Sequence, residues 1–246
     1  MSKITHVKGR QVFDSRGNPT VEAEVILENG LVGTSIVPSG ASTGKHEAYE
    51  LRDNNKNYLN KSVFDAVNNI NSKIAKILKN KDPNHQSEID KVLINLDGTD
   101  NKSNIGANAI LAVSIANIKV AAKLANKELY RYINNEKNPV FTMPYPLMNI
   151  INGGAHANNS LEIQEFMIRP DGANSFEECM KMSFLVIQNL KKNLENKKIS
   201  TSVGDEGGFA PSLSSDEEAI EIIINSISSA GFKPGEDISI CLDVAA

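Results

Sequence analysis

The chain has 246 residues, 40% of them hydrophobic, with 26 basic against 30 acidic side chains and a formal net charge of −4. That is ample for one large or two smaller cored domains, and too apolar for a disordered chain. The mild acidity excludes the clustered basic face of a dedicated nucleic-acid binder, and two cysteines, Cys179 and Cys241, exclude a disulfide framework or a thiolate zinc site.

Met1 to Arg10 lacks the apolar run of a secretory signal. Further on, Val21, Ala23, Val25 and Leu27 alternate with Glu22, Glu24 and Glu28, the pattern of a strand with one dry face. Asn29-Gly30 supplies a tight hairpin turn, and Leu31 to Val37 returns as a second strand. Pro38 to Lys45 is too poor in bulky side chains to pack and reads as a loop. The loop is not a P-loop, because Ser39 stands where the first glycine belongs and His46 follows Lys45. Ser42 and Thr43 remain candidate magnesium or phosphate ligands on a closing flap. Gly-x-Gly-x-x-Gly is absent, so nicotinamide chemistry has no support.

Val63, Val67, Ile70, Ile74 and Ile77 form a helical stripe, with Ser62 as the expected N-cap. A shorter helix around Ile89, Leu93 and Leu96 stops at Asp97-Gly98. Ile105 to Ala125 is apolar nearly all round and reads as a central helix. Asn117, Lys119 and Lys123 make it too polar for a lipid span, so no membrane segment is expected and the chain reads as cytoplasmic. Asn134 to Pro146 reads as a linker, which divides the chain into domains 1–137 and 138–246.

In the second half, Tyr145 to Ile151 and Leu161 to Ile168 are apolar runs expected to be strands covered on both faces. Two helices follow, each opened by a capping box, Ser175 with Glu178 and Ser215 with Glu218. Ile238 to Asp243 reads as a further buried strand. A carboxylate at its end demands a partner, and is either catalytic or a structural acceptor of amides or an arginine. Gly204-Asp205-Glu206-Gly207-Gly208 sets two acids in a glycine turn, a pattern that suits either general-acid duty or a plain solvated turn. Gln164 and Glu165 interrupt a strand, and on a regular strand they cannot line one cavity; a bulge re-aims one, or one lies behind the sheet. His156 follows Asn152-Gly153-Gly154-Ala155 in a loop and, read alone, is a solvated histidine.

Seven collinear stretches carry a resemblance: Phe13 to Thr20, Val37 to Gly44, Gly106 to Leu111, Asn152 to His156, Ile163 to Met167, Gly204 to Gly208, and Leu242-Asp243. Together the chain resembles the enolase family of bacterial type. The resemblance implies an α+β amino-terminal domain, antiparallel sheet plus helices. After it comes the first part of an enolase-type (β/α)8 barrel starting ββαα. It also implies magnesium-dependent dehydration of 2-phosphoglycerate to phosphoenolpyruvate, with two Mg2+ stabilising a doubly charged carboxylate.

Carried over to this chain, the resemblance makes Asp243 a ligand of the first metal and Ser42 a ligand of the second. Glu206 becomes the general acid for the departing hydroxyl, Glu165 its neighbour in catalysis and substrate positioning, and Gln164 and His156 substrate contacts. The expected assembly is a homodimer or higher homo-oligomer, without nucleic acid, and surface or secreted display stays open. The resemblance further implies that the catalytic lysine and two more carboxylate ligands are not among these 246 residues. The chain alone is therefore expected to be inactive, with its second half poorly folded. Two rival readings are a non-catalytic interaction protein on the same fold and a different lyase or racemase of the superfamily. The flap and the glycine turn disfavour the latter.

Overall fold

The alternation along Val21 to Leu27 becomes the middle strand of a sheet in the computed structural model, which describes residues 2–40, 43–134, 139–204 and 206–245. Contacts divide the chain into two units, Met1–Pro139 and Val140–Ala246. In the first, β1 (Ile4–Phe13), β2 (Pro19–Leu27) and β3 (Val32–Val37) pair antiparallel in sequence order. Val21, Ala23, Val25 and Leu27 are buried, while Glu22 and Glu24 on the wet face take Arg10 from β1.

Helix α4 (Ala107–Leu124) covers the dry face with Ala109, Ala112, Val113, Ala116 and Val120, all fully buried. The approach is close at Gly33, where any Cβ would collide with the Ala116 carbonyl oxygen. Among the described residues this is the one helix long and apolar enough to cross a membrane. Its polar residues are engaged within the unit: Asn117 donates to the Pro83 carbonyl (3.0 Å) and Gln86 Oε1 (2.8 Å), and Lys119 and Lys123 donate to the Thr34 and Val32 carbonyls. Helix α3 (Gln86–Asp97) ends at Gly98 as expected, and the short α5 (Leu129–Ile133) follows α4.

The stripe from Val63 to Leu78 forms α1 (Phe64–Asn69), a wider π turn (Ile70–Ile74) and α2 (Ala75–Leu78), burying Val67, Ile70, Ile74 and Leu78. Its cap is not Ser62. The Ser62 hydroxyl faces Asn55 Oδ1 (3.4 Å), and Asp53 takes the helix start instead, its two oxygens each accepting at 2.9 Å from the amides of Phe64 and Asp65. A carboxylate offers two acceptors and a full charge to the positive end of the helix, where a serine offers one neutral oxygen. Burial pushes the Asp53 carboxyl upward, but hydrogen bonds from Asp65, Ser62, Phe64 and Asn55 outweigh it and hold the group below the usual range.

The second unit runs β4 (Met148–Asn152), β5 (Glu165–Arg169), α6 (Phe176–Asn196), α7 (Asp216–Ser229) and β6 (Ser239–Asp243), the expected strand, strand, helix, helix, strand. The sheet order is β4-β5-β6, with both pairings antiparallel. Ser175 and Ser215 accept from the amides of Glu178 and Glu218 (3.1 and 3.3 Å), and each glutamate reaches back to the residue before its serine.

Two expectations change here. The apolar runs are not covered on both faces: in β5, Phe166 and Ile168 are buried while Glu165 and Met167 are half-exposed, because both helices lie on one side. The strand also starts only at Glu165, since Gly153 and Gly154 donate to the Gln164 and Leu161 carbonyls (3.0 and 2.9 Å) and fold 161–164 back as a loop. The sheet and the two helices share one core. Phe166 and Ile168 pack with Val186 and Leu190 of α6 and with Ile223 and Ile227 of α7.

Replacing Asp53 by alanine leaves two helix-start amides without acceptors and costs the first unit about 1–2 kcal/mol, read by urea unfolding at pH 7. The stability from a carboxyl held low is present above its unfolded value and lost as pH falls through its folded one. The gap between native and variant therefore closes on acidification.

Candidate active site

Because β5 runs opposite to both neighbours, the ends of β4 and β6 and the start of β5 share one edge of the sheet. Asn152 stands opposite Glu165, and Glu165 opposite Asp243. Residues directly opposite on antiparallel strands project to the same face, which brings the Glu165 and Asp243 carboxylates side by side.

The segment after β4 turns back over this edge. A single 3-10 turn, Gly154–His156, buries His156 to 6% exposure, its Nδ1 3.4 Å from Glu165 Oε1. That nitrogen lacks hydrogen-bond geometry to any partner. His156 is therefore no solvated loop residue, as its sequence neighbours alone imply; the fold back to Gln164 encloses it. Gln164, also buried, precedes the strand, so alternation does not separate it from Glu165.

A third segment completes the edge. Phe209 donates to the Ile150 carbonyl (2.9 Å) and accepts from the Asn152 amide (2.8 Å), docking the 203–209 segment along β4. The Gly204 amide donates to the Gly208 carbonyl (2.8 Å) and closes a turn that carries Glu206. Glu206 is 46% exposed, with Oε1 3.8 Å from His156 Nε2. Asp205 and Ser42 lie outside the described residues.

Four of the six residues singled out from sequence, His156, Glu165, Glu206 and Asp243, thus meet at one edge, with Gln164 beside them. Asp243 differs in character from expectation. It is exposed, at the end of β6, an outer strand of the three, and Oδ1 accepts from the Ala245 amide (3.0 Å). Desolvation does not mark it; its pairing with Glu165 does. Asn152 was missed by sequence reasoning: it is fully buried at the end of an apolar strand, and a polar side chain in that place was the available signal.

Burial, together with the charges of Asp243 and Glu206, holds the Glu165 carboxyl above the ordinary glutamate value, against the opposing pull of His156. The edge therefore offers an enclosed acid, an exposed acid and a histidine between them, a set suited to moving a proton onto or off a bound molecule. Among the described residues no group of three His, Cys, Asp or Glu side chains is arranged to hold a metal ion.

Comparison with known proteins adds family information. Residues 4–133 match the model for the enolase N-terminal domain, and residues 140–246 match that for the enolase C-terminal TIM barrel domain. A curated protein of Pelagibacter ubique named enolase is 59% identical over 247 residues, covering all of this chain and 58% of its own length. One of Corynebacterium kroppenstedtii, also named enolase, is 52% identical over 246 residues, covering all of this chain and 57% of its own. The chain thus spans a little under three fifths of the length of these relatives.

A carboxyl held high keeps its proton longer in the folded chain than in the unfolded one, so stability falls as pH rises through the unfolded glutamate value of about 4.3. In metal-free buffer, Glu165→Gln raises the melting temperature of the second unit at pH 7 and leaves it unchanged at pH 3, followed by circular dichroism. Equal effects at both pH values contradict the assigned electrostatics.

Proposed function

The chain belongs to the enolase family, and on that premise we propose that it carries part of the site for reversible dehydration of 2-phospho-D-glycerate to phosphoenolpyruvate. The observation that carries this reading is the convergence of His156, Glu165, Glu206 and Asp243 on one sheet edge from four separate segments.

In this reading Glu206, the exposed acid, gives its proton to the departing C3 hydroxyl. Glu165, whose carboxyl its surroundings hold above the ordinary glutamate value, lies beside it and orients the same hydroxyl. His156 and Gln164, both buried, bind and orient the substrate, the histidine nearest its phosphate. A buried imidazole suits that task, since it is fixed in place and carries positive charge when protonated.

Magnesium, when bound, neutralises charge that builds on the substrate carboxylate. The residues here do not complete such a site: Asp243 offers one carboxylate, and among the described residues no cluster of three accompanies it. Asp243 and Ser42 are proposed as contributors only, and no step is derived through the ion. The base that removes the C2 proton is likewise proposed to come from outside these 246 residues.

The test is a hybrid in which this chain is continued by the remaining length of the Pelagibacter protein. The hybrid forms phosphoenolpyruvate in the presence of magnesium, and the 246-residue chain alone does not. In the hybrid, Glu206→Gln lowers kcat by about 10²–10⁴-fold and leaves KM within about threefold. An inactive but folded hybrid, or turnover indifferent to Glu206→Gln, overturns the reading.

A further inference from the structure

The acid turn could ride at many heights over the end of β4, and its height decides whether Glu206 reaches His156. What lies beneath it is the side chain of Asn152. A Cβ on Gly204 would overlap Asn152 Nδ2 and lie 2.8 Å from the His156 carbonyl oxygen; one on Gly208 would lie 2.8 Å from Asn152 Oδ1. The first and last glycines of the turn therefore rest on the two ends of a single amide. That amide is pinned in turn, Oδ1 accepting from Asn149 Nδ2 at 2.5 Å. Its main chain ties the same three segments together, the amide to Phe209 (2.8 Å) and the carbonyl accepting from Asn159 Nδ2 (2.9 Å).

Packing alone does not account for an asparagine in this place. Its Nδ2 is buried without a partner, an orphan that an apolar side chain of similar size would not create, although Asn149 Nδ2 would then lose its acceptor. The planar amide, narrow enough for two glycine α-carbons to approach and held in one orientation by Asn149, is what an apolar residue cannot supply.

We propose that Asn152 is a positioning residue which sets the height of the Gly204–Gly208 turn, and so the reach of Glu206 toward His156. Its importance for turnover rests on the reading of Glu206 given above, but the positioning itself is independent of any substrate.

The experiment uses the 246-residue chain without substrate and reads nuclear Overhauser contacts from the His156 ring protons to the γ-protons of Glu206 and of Glu165. In the native chain both contacts are present. In Asn152→Ala the Glu206 contact is lost, while the Glu165 contact and the exchange protection of the β5–β6 amides are kept, because Glu165 is held by the strand and not by the turn. A residue that merely fills the core would leave both contacts or lose both, and either result with the sheet protected overturns the proposal. Should Asn152→Ala strip protection from the sheet, Gly204→Ala decides: a methyl group driven against the Asn152 amide must displace the turn and abolish the Glu206 contact, and its persistence overturns the proposal. A negative result here leaves the proposed reaction standing, whereas an inactive hybrid overturns the reaction and leaves this contact pattern untouched.

Discussion

The chemistry available to the second unit depends on the direction of one strand. Had β5 run parallel to its neighbours, its first residue would sit at the far edge from the ends of β4 and β6. Antiparallel pairing on both sides brings Asn152, Glu165 and Asp243 into a row, although they belong to distant parts of the sequence. The twelve-residue loop that joins β4 to β5 at this end then delivers His156 to the same edge, and Glu206 arrives on the segment whose Phe209 pairs with β4.

Such a row is electrostatically uncomfortable, and that is its usefulness. Three carboxylates stand near one another, and burial of Glu165 together with the charges of Asp243 and Glu206 holds its carboxyl above the ordinary value. His156 lies between Glu165 and Glu206 with one ring nitrogen towards each. The scaffold tolerates this because the strain is confined to the rim, while the dry face of the same sheet packs Phe166 and Ile168 against two well-capped helices.

Much of this was legible in the residues. The Val21–Leu27 alternation, the hairpin at Asn29-Gly30, both capping boxes and the element order of the second half are local signals, and local signals survive folding unchanged. The failures share one cause, a partner remote in sequence. Ser62 stands one residue before the N-cap position, Val63, and a carboxylate nine residues before the serine meets the amides instead. His156 looked solvated because nothing beside it in sequence encloses it; the enclosure comes from the return at Leu161 to Gln164. Asp243 looked desolvated because its strand is apolar, but it stands at the exposed end of an outer strand. Individually weak motifs such as the glycine turn became readable only as an ordered set, which is why the family resemblance told more than any one of them.

The borrowed cap on α1 carries a consequence for how the first unit assembles. A helix whose opening amides are met by a residue outside it cannot be completed by local sequence, and a peptide cut from Val63 to Leu78 would lack both acceptors. The strand hairpin has its turn signal built in and needs no such help. The opening of the first helix is therefore satisfied only where the strap bearing Asp53 lies against it, so one aspartate couples two segments of the unit that share no local signal.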